Sequence, residues 1–262
     1  SKLAPIYMFV RKTFPDDHSR DRYYQTNKDL DFIKSHHFVL GHDYSINPQL
    51  RLKTEVYYQY LYNVPVKREP DHFWLLNGGE SLDGWCTEDS LVNEGTGNNY
   101  GLELTLEKFF DNNYYFLLTS SLFNSTFKAS DNIVRNTVFN GNYVFNALGG
   151  YEWVINERNS ININLKFVYA GGRRYTPYIK GVDGLYERDI QNIYGDQMPS
   201  YFRMDFRIGY MLYGKRASYE FAFDVSNLTN QKNIYYRYLD TGSNTIKNQY
   251  QQTKELIFHY KS

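Results

Sequence analysis

The sequence predicts an all-β fold: an antiparallel sheet curved into the wall of a transmembrane β-barrel. Three observations predict it. Apolar and polar residues alternate with period two through about nine segments, as in strands with one apolar and one polar face. The links between those segments alternate strictly between short and long, which places every tight turn at one end of the sheet and every long link at the other. Outer-membrane barrels are laid out this way, and a soluble sandwich has no reason to sort its links. Finally, 27 Tyr and 18 Phe stand among 262 residues, and such rings favour strands and membrane–water interfaces.

The segments follow in order. APIYMFVRK (residues 4–12) is a tenth candidate ahead of the nine. In HHFVLGHDYSI (residues 36–46), Phe38, Leu40, Tyr44 and Ile46 oppose His37, Gly41, Asp43 and Ser45. In RLKTEVYYQYLYN (residues 51–63) and the Leu50 before it, Leu50, Leu52, Val56, Tyr58, Tyr60 and Tyr62 share one parity. Arg51, Lys53, Glu55, Tyr57 and Gln59 share the other. YGLELTLEKFF (residues 100–110) sets Leu102, Leu104 and Leu106 against Glu103, Thr105 and Glu107. Weaker strands run through YYFLLTSSLF (residues 114–123) and YVFNALGGYEWVI (residues 143–155). INLKFVYAGG (residues 163–172), with Ile161 before it, places Ile163, Leu165, Phe167 and Tyr169 opposite Asn164 and Lys166. YFRMDFRIGYMLY (residues 201–213) alternates most clearly, with Arg203, Asp205, Arg207 and Gly209 on the polar side. YEFAFDVSN (residues 219–227) and ELIFHYK (residues 255–261) close the series.

Asn47–Gln49, Asp111–Asn113, Asn156–Ser160 and Gly214–Ser218 are the tight turns, and the long links cover residues 64–97, 128–140, 173–200 and 229–248. This sorting inverts the usual reading of an amphipathic strand. Leu50, Leu52, Val56, Tyr58 and Tyr60 are expected to face lipid, and Arg51, Lys53, Glu55 and Gln59 a wet lumen. Tyr58, Tyr60 and Tyr62 fall at the loop end, where an aromatic girdle belongs. The polar parity, with Glu103, Glu107, Arg203, Asp205, Arg207, Glu220 and Asp224, reads as a hydrated wall whose acids and bases pair across strands.

Several functional classes are excluded. A formal net charge of zero lacks the basic excess of a nucleic-acid binder. The single cysteine, Cys86, forms no internal disulfide or multi-thiolate metal site. No run approaches the length of a transmembrane helix. Ser1 opens no signal peptide, so the chain is expected to be a piece of a longer protein. There is no P-loop, HExxH, GxSxG or dinucleotide fingerprint; neither catalytic residues nor a cofactor is expected. His36 and His37 are adjacent and would point to opposite faces of a strand, so they cannot jointly hold a metal.

The long links carry the binding candidates. PDHFWLLNGGESLDGWCTEDS presents Phe73, Trp74 and Trp85, and GGRRYTPY presents Arg173, Arg174 and Tyr175. Aromatic and arginine side chains bring contact area and bidentate donors to a recognition surface.

LVNEGTGNNYGLELTLEKFF, NTVFNGNYVFNALGGYEW, GGRRYTP, YFRMDFRIGY and DVSNLTNQKN, as an ordered set, resemble the C-terminal barrel region of TonB-dependent outer-membrane receptors of the Bacteroidetes kind. The resemblance implies a bacterial outer-membrane location and a twenty-two-stranded barrel, of which residues 1–262 form the C-terminal portion; no plug or TonB box is found in this chain. It implies active uptake of a scarce nutrient: siderophore-bound iron, haem, cobalamin, a glycan or a peptide. Its partners would be outer-membrane lipid, the receptor's own N-terminal plug and, through it, TonB. Glu103, Glu107, Arg203, Asp205 and Arg207 then become candidates for plug contacts. One departure stands out: such barrels usually end on an aromatic residue, whereas Phe258 and Tyr260 are followed here by Lys261 and Ser262. The rival readings are a passive porin, a small outer-membrane barrel hydrolase using His18 or His72 beside an acid, and a soluble β-rich binding protein. Loop composition does not separate iron chelates from glycans or peptides.

Overall fold

A computed structural model describes residues 11–13, 22–78, 90–251 and 253–261. β1 (Arg11–Thr13) and β2 (Arg22–Tyr24) form a separate two-stranded ribbon. The main sheet begins with β3 (Lys34–Asn47), β4 (Leu50–Lys67), β5 (Leu91–Asp111) and β6 (Tyr114–Lys128), with a short 3-10 turn at Leu75–Gly78 between β4 and β5. β7 (Val134–Asn136), β8 (Tyr143–Asn156) and β9 (Asn159–Ala170) follow. The next link holds β10 (Arg174–Tyr175), β11 (Tyr178–Lys180), β12 (Tyr186–Arg188) and β13 (Asp196–Gln197). β14 (Tyr201–Tyr213), β15 (Ser218–Ser226), the hairpin of β16 (Ile234–Asp240) and β17 (Thr245–Tyr250), and β18 (Glu255–Lys261) complete the chain. Nine strands lie side by side in the order β18-β15-β14-β9-β8-β6-β5-β4-β3, all antiparallel, with β7 added against the end of β6.

Local chemistry fixes the tight turns. Asn112 and Asn113 both take positive φ, 54° and 70°, as a two-residue type I′ hairpin requires and asparagine tolerates. Asn47 Oδ1 accepts from the Gln49 amide at 2.9 Å and Asn156 Oδ1 from the Arg158 amide at 2.9 Å. Each is an Asx turn that needs no long connection.

Register follows the alternation. Leu40, Val56 and Leu102 are cross-strand partners on one face, while Asp43 and Lys53, and Arg207 and Asp224, are partners on the other. Among the described residues nothing covers the apolar face: Leu40 is 78% exposed, Leu165 44% and Phe258 81%. Rings band this face near both ends. Tyr143 and Tyr169 lie 5.5 Å apart at the loop end, and Tyr151, Trp153, Tyr210 and Tyr260 stand exposed near the turn end. Tyr143 and Trp153 are ten residues apart on β8, about 25 Å along the normal of a barrel with the usual strand tilt. That is the height of a lipid-facing band.

The structure corrects the expected lengths. β4 has 18 residues and β5 has 21, well beyond the roughly ten that cross a bilayer. They stay paired up to Lys67 and Leu91, through bulges at Leu61/Val64 and Val64/Val66, so the link expected over 64–97 shrinks to residues 68–90. The other three long links carry short strands of their own. β9 starts at Asn159 and ends at Ala170, leaving Gly171 and Gly172 in the link. Of the candidate strand at residues 4–12, only Arg11 and Lys12 are described, both in β1.

Candidate ligand-binding face at the loop end of the sheet

The principal buried apolar cluster sits at the loop end, on the polar-parity side of β4, β5 and β6. Val64, Val66, Trp74, Leu75, Leu91, Phe127 and Ala129 compose it. The segment after β4 folds back over the wall, held by a β-bridge between Val66 and Trp74 and by the Val138 amide, which donates to Asn77 Oδ1 at 3.1 Å. Two glycines let it lie flat. A Cβ on Gly95 would meet Trp74 Cδ1 at 3.0 Å, and one on Gly97 would meet Trp74 Cζ2 at 2.9 Å. The indole occupies the space those side chains would fill and stacks on Phe127 at 5.2 Å. Trp74 is 5% exposed, and its Nε1 has no hydrogen-bond partner among the described residues. Phe73 is half-buried beside Lys67, whose Nζ lies 5.8 Å from the ring.

Below Trp74 opens a cavity of about 360 Å³ lined by Tyr57, Gln59, Asn99, Ser125, Thr137 and Phe139 among others. Side chains form one continuous chain of hydrogen bonds along its wall. Thr137 donates to Ser125 at 2.8 Å, Ser125 to Asn99 Oδ1 at 2.6 Å, Asn99 to Gln59 Oε1 at 2.9 Å, and Gln59 to Ser35 at 3.1 Å.

Arg173, Arg174 and Tyr175 part ways, because neighbours along an extended chain face opposite sides. Arg174 is half-buried and donates to the Asn140 carbonyl at 3.1 Å, the Gly195 carbonyl at 3.3 Å and Asn142 Oδ1 at 2.8 Å, which makes it a brace between links. Arg173 is exposed, with its guanidinium 5.6 Å from the Phe139 ring and 6.0 Å from the Tyr235 ring; no acid pairs with it among the described residues. Tyr175 lies under Arg237, 5.0 Å from ring centre to guanidinium, and its hydroxyl accepts from Arg237 at 2.6 Å and donates to Asp196 at 3.3 Å. Burial pushes the Tyr175 hydroxyl above its ordinary range, against the pull of Arg237. Trp85 lies outside the described residues, as do Cys86 and His18.

The polar parity of the sheet holds the other candidates. Arg207 bridges two carboxylates, Glu220 at 2.6 Å and Asp224 at 2.9 Å, and His259 Nε2 lies 2.8 Å from Asp224. Arg203 pairs along its own strand with Asp205 at 2.7 Å, and Asp205 also accepts from the Asn227 amide at 2.8 Å. Glu107 lies 3.8 Å from Arg51, which also grips Asp43. Glu103 departs from the expected pairing. It stands directly opposite Glu55 in the register, and its described hydrogen-bond partner is Ser121 at 3.5 Å; Lys53 pairs with Glu55 instead, at 2.7 Å.

No family model matches the chain, and no curated protein resembles it in sequence at a significant level. Solved structures do resemble it. The ferric yersiniabactin uptake receptor FyuA from Yersinia pestis superposes with a TM-score of 0.58 and 13% identity, over 94% of this chain and 32% of that one. The chain shares the fold of part of that protein's β-barrel. The ferric-catecholate import receptor Fiu from E. coli K12 gives 0.56 and 11%, over 89% of this chain and 28% of that one. The FrpB iron transporter from Neisseria meningitidis gives 0.51 and 15%, over 78% and 28%. The chain spans about a third of the length of these receptors, and at such identities the likeness carries the fold alone. None of the three comes from a Bacteroidetes species, so that part of the resemblance gains no support from them.

On this sheet, two groups escaped sequence reasoning. The stretch YYRY places Tyr235 beside Arg173 and Arg237 over Tyr175; four consecutive ring or guanidinium residues inside a long link were the available signal. The hydrogen-bonded row Gln59, Asn99 and Ser125 left no signal, because it forms only when three strands pair in register.

Proposed function

We propose that this chain is the C-terminal part of the barrel of a TonB-dependent outer-membrane receptor that actively takes up a scarce nutrient. The observation that carries the reading is the nine-stranded sheet with one bare apolar face, girdled by rings and superposable on uptake-receptor barrels over most of its length. In this reading the bare face meets lipid, the loop end faces the medium and the tight turns face the periplasm. A plug domain packs against the polar parity. Glu103, which faces Glu55 and pairs with no base among the described residues, and Arg203, Asp205, Arg207 and Glu107 supply the wall it touches, and TonB acts through the plug. No residue performs chemistry on the ligand.

The three solved structures are named for ferric yersiniabactin, ferric catecholate and iron, which makes an iron chelate the first ligand to test. Arg173, exposed between two rings and paired with no acid among the described residues, is the residue best placed to meet an anionic chelate. Phe73, Trp74 and Arg174 shape the face around it, and Trp85 and Tyr175 complete the set of loop candidates. The test is uptake of radiolabelled ferric chelates by cells carrying the full-length receptor, with and without TonB. Uptake that requires both, and outer-membrane fractionation of the receptor, are the expected results. Uptake that persists without TonB or under a protonophore would point to a passive porin.

A further inference from the structure

The cavity under Trp74 differs in chemistry from the arginine-bearing surface beside it. Among the described residues that line it, the Tyr57 phenol is the only ionisable group. It presents instead a row of amides and hydroxyls bounded by rings. The hydrogen-bond chain from Thr137 to Ser35 uses only part of their capacity. Each amide nitrogen of Gln59 and Asn99 donates once along the chain and has a second hydrogen left, and Asn99 Oδ1 and Thr137 Oγ1 keep lone pairs. The Tyr57 hydroxyl makes no hydrogen bond among the described residues. Gln59 and Asn99 are cross-strand partners, one strand separation apart at the backbone, about 4.8 Å, and the 2.9 Å bond between their side chains holds the two amides side by side. Two adjacent amides with free donors can bond neighbouring hydroxyls of one ring.

A flat surface flanks the row. A Cβ on Gly101 would lie 2.9 Å from Tyr57 Cε1 and 2.8 Å from its hydroxyl, so the glycine lets the Tyr57 ring lie against the wall. Phe139 adds a second ring to the lining. An aromatic plane beside planar amides in an uncharged recess suits a ring with apolar faces and hydroxyl edges.

We propose that this cavity is a binding subsite for a neutral saccharide unit, with Gln59, Asn99 and Tyr57 as its hydrogen-bonding residues. The proposal rests on the receptor reading and names a ligand class for one part of it. The test is calorimetric titration of the full-length receptor in detergent with neutral hexaoses built on glucose, mannose, galactose, xylose and N-acetylglucosamine. At least one is expected to bind saturably. Gln59→Leu and Asn99→Leu should each weaken that binding about tenfold. Tyr57→Phe, which leaves the wall and the amide row intact, should weaken it severalfold, and Lys215→Ala, in the tight turn between β14 and β15 at the opposite end of the sheet, should leave it unchanged. Failure of every hexaose to bind the folded wild-type receptor, or binding indifferent to Tyr57, Gln59 and Asn99, overturns the subsite. TonB-dependent chelate uptake by a receptor that binds no hexaose sinks the subsite and leaves the receptor reading standing. Hexaose binding by a receptor whose uptake ignores TonB does the reverse.

Discussion

Leu165 offers a direct test of which face meets lipid. It sits on β9 between Gly149 of β8 and Phe206 of β14, 44% exposed on the apolar face. Ile161 lies four residues away toward the turn end and Tyr169 four residues toward the loop end. Four residues are about 13 Å of strand, or about 10 Å along the membrane normal at the usual tilt, which puts Leu165 near the middle of the lipid-facing band. An arginine there should cost about 2 to 4 kcal/mol. The matching control is Val168→Glu on the same strand. Val168 has the opposite parity and faces Arg203 across β14, so its new carboxylate lands in a hydrated wall beside a base, at a cost under about 1 kcal/mol.

The assay is urea unfolding of the full-length receptor in lipid vesicles, followed by the mobility shift between folded and unfolded barrel. With a slope of about 3 kcal/mol per molar urea, Leu165→Arg should lower the midpoint by about 1 M, and Val168→Glu by a few tenths. A soluble sheet with this face in water would show little cost at either position, since an exposed charge on a solvated face costs little. Equal tolerance at the two positions would refute the lipid-facing assignment.

Other outcomes follow from particular contacts. Trp74→Ala removes a buried indole from its seat on Gly95 and Gly97 and should destabilise the loop-end cluster by about 3 to 5 kcal/mol, seen as faster proteolysis within residues 68–90. Arg207→Ala leaves Glu220 and Asp224 without their shared base and should cost about 1 to 3 kcal/mol, while Arg207→Lys should restore part of it; unfolding midpoints decide. At the tip of the β16–β17 hairpin, the Lys247 ammonium holds the Asp240 carboxyl down to about 2. A depressed carboxylate stabilises the folded state above its unfolded value of 3.8 and loses that contribution as pH falls from about 4 toward 2. Hydrogen exchange of the hairpin amides should therefore accelerate in that window, and Asp240→Asn should abolish the dependence.

The sequence made the part of the sheet with the bare apolar face legible and lost its loop-end part, for one physical reason. Where one side of a strand meets lipid and the other water, residues must alternate, and segments such as YFRMDFRIGYMLY and ELIFHYK match β14 and β18 end to end. In VNEGTGNN, the loop-end half of β5, neither parity is apolar, so the contrast disappears and the strand reads as a link. The site was legible only by residue type. Composition placed Trp74 and Arg173 in the links, but whether a ring is buried on the wall or offered to a ligand depends on what lies opposite. For Trp74 the deciding residues are Gly95 and Gly97, more than twenty positions away. For Arg173 and Arg174 adjacency itself decided the outcome, since only one of two neighbours can turn away from the braced interior.

The overshoot of β4 and β5 connects these observations. Gln59 and Asn99 stand on the same hydrogen-bonded strands whose lower halves carry Leu52, Val56, Leu102 and Leu106 on the bare face. A recognition site built on flexible links pays ordering entropy each time a ligand binds. One carried by strands anchored through the membrane band is already ordered, and its spacing is fixed by the ladder at about 4.8 Å. The links then have the narrower task of bringing Arg173 and Phe139 to the rim of a wall that is rigid beneath them. A change in the links should therefore alter which ligands are admitted, whereas a change in the register of β4 against β5 should abolish the row of amides altogether.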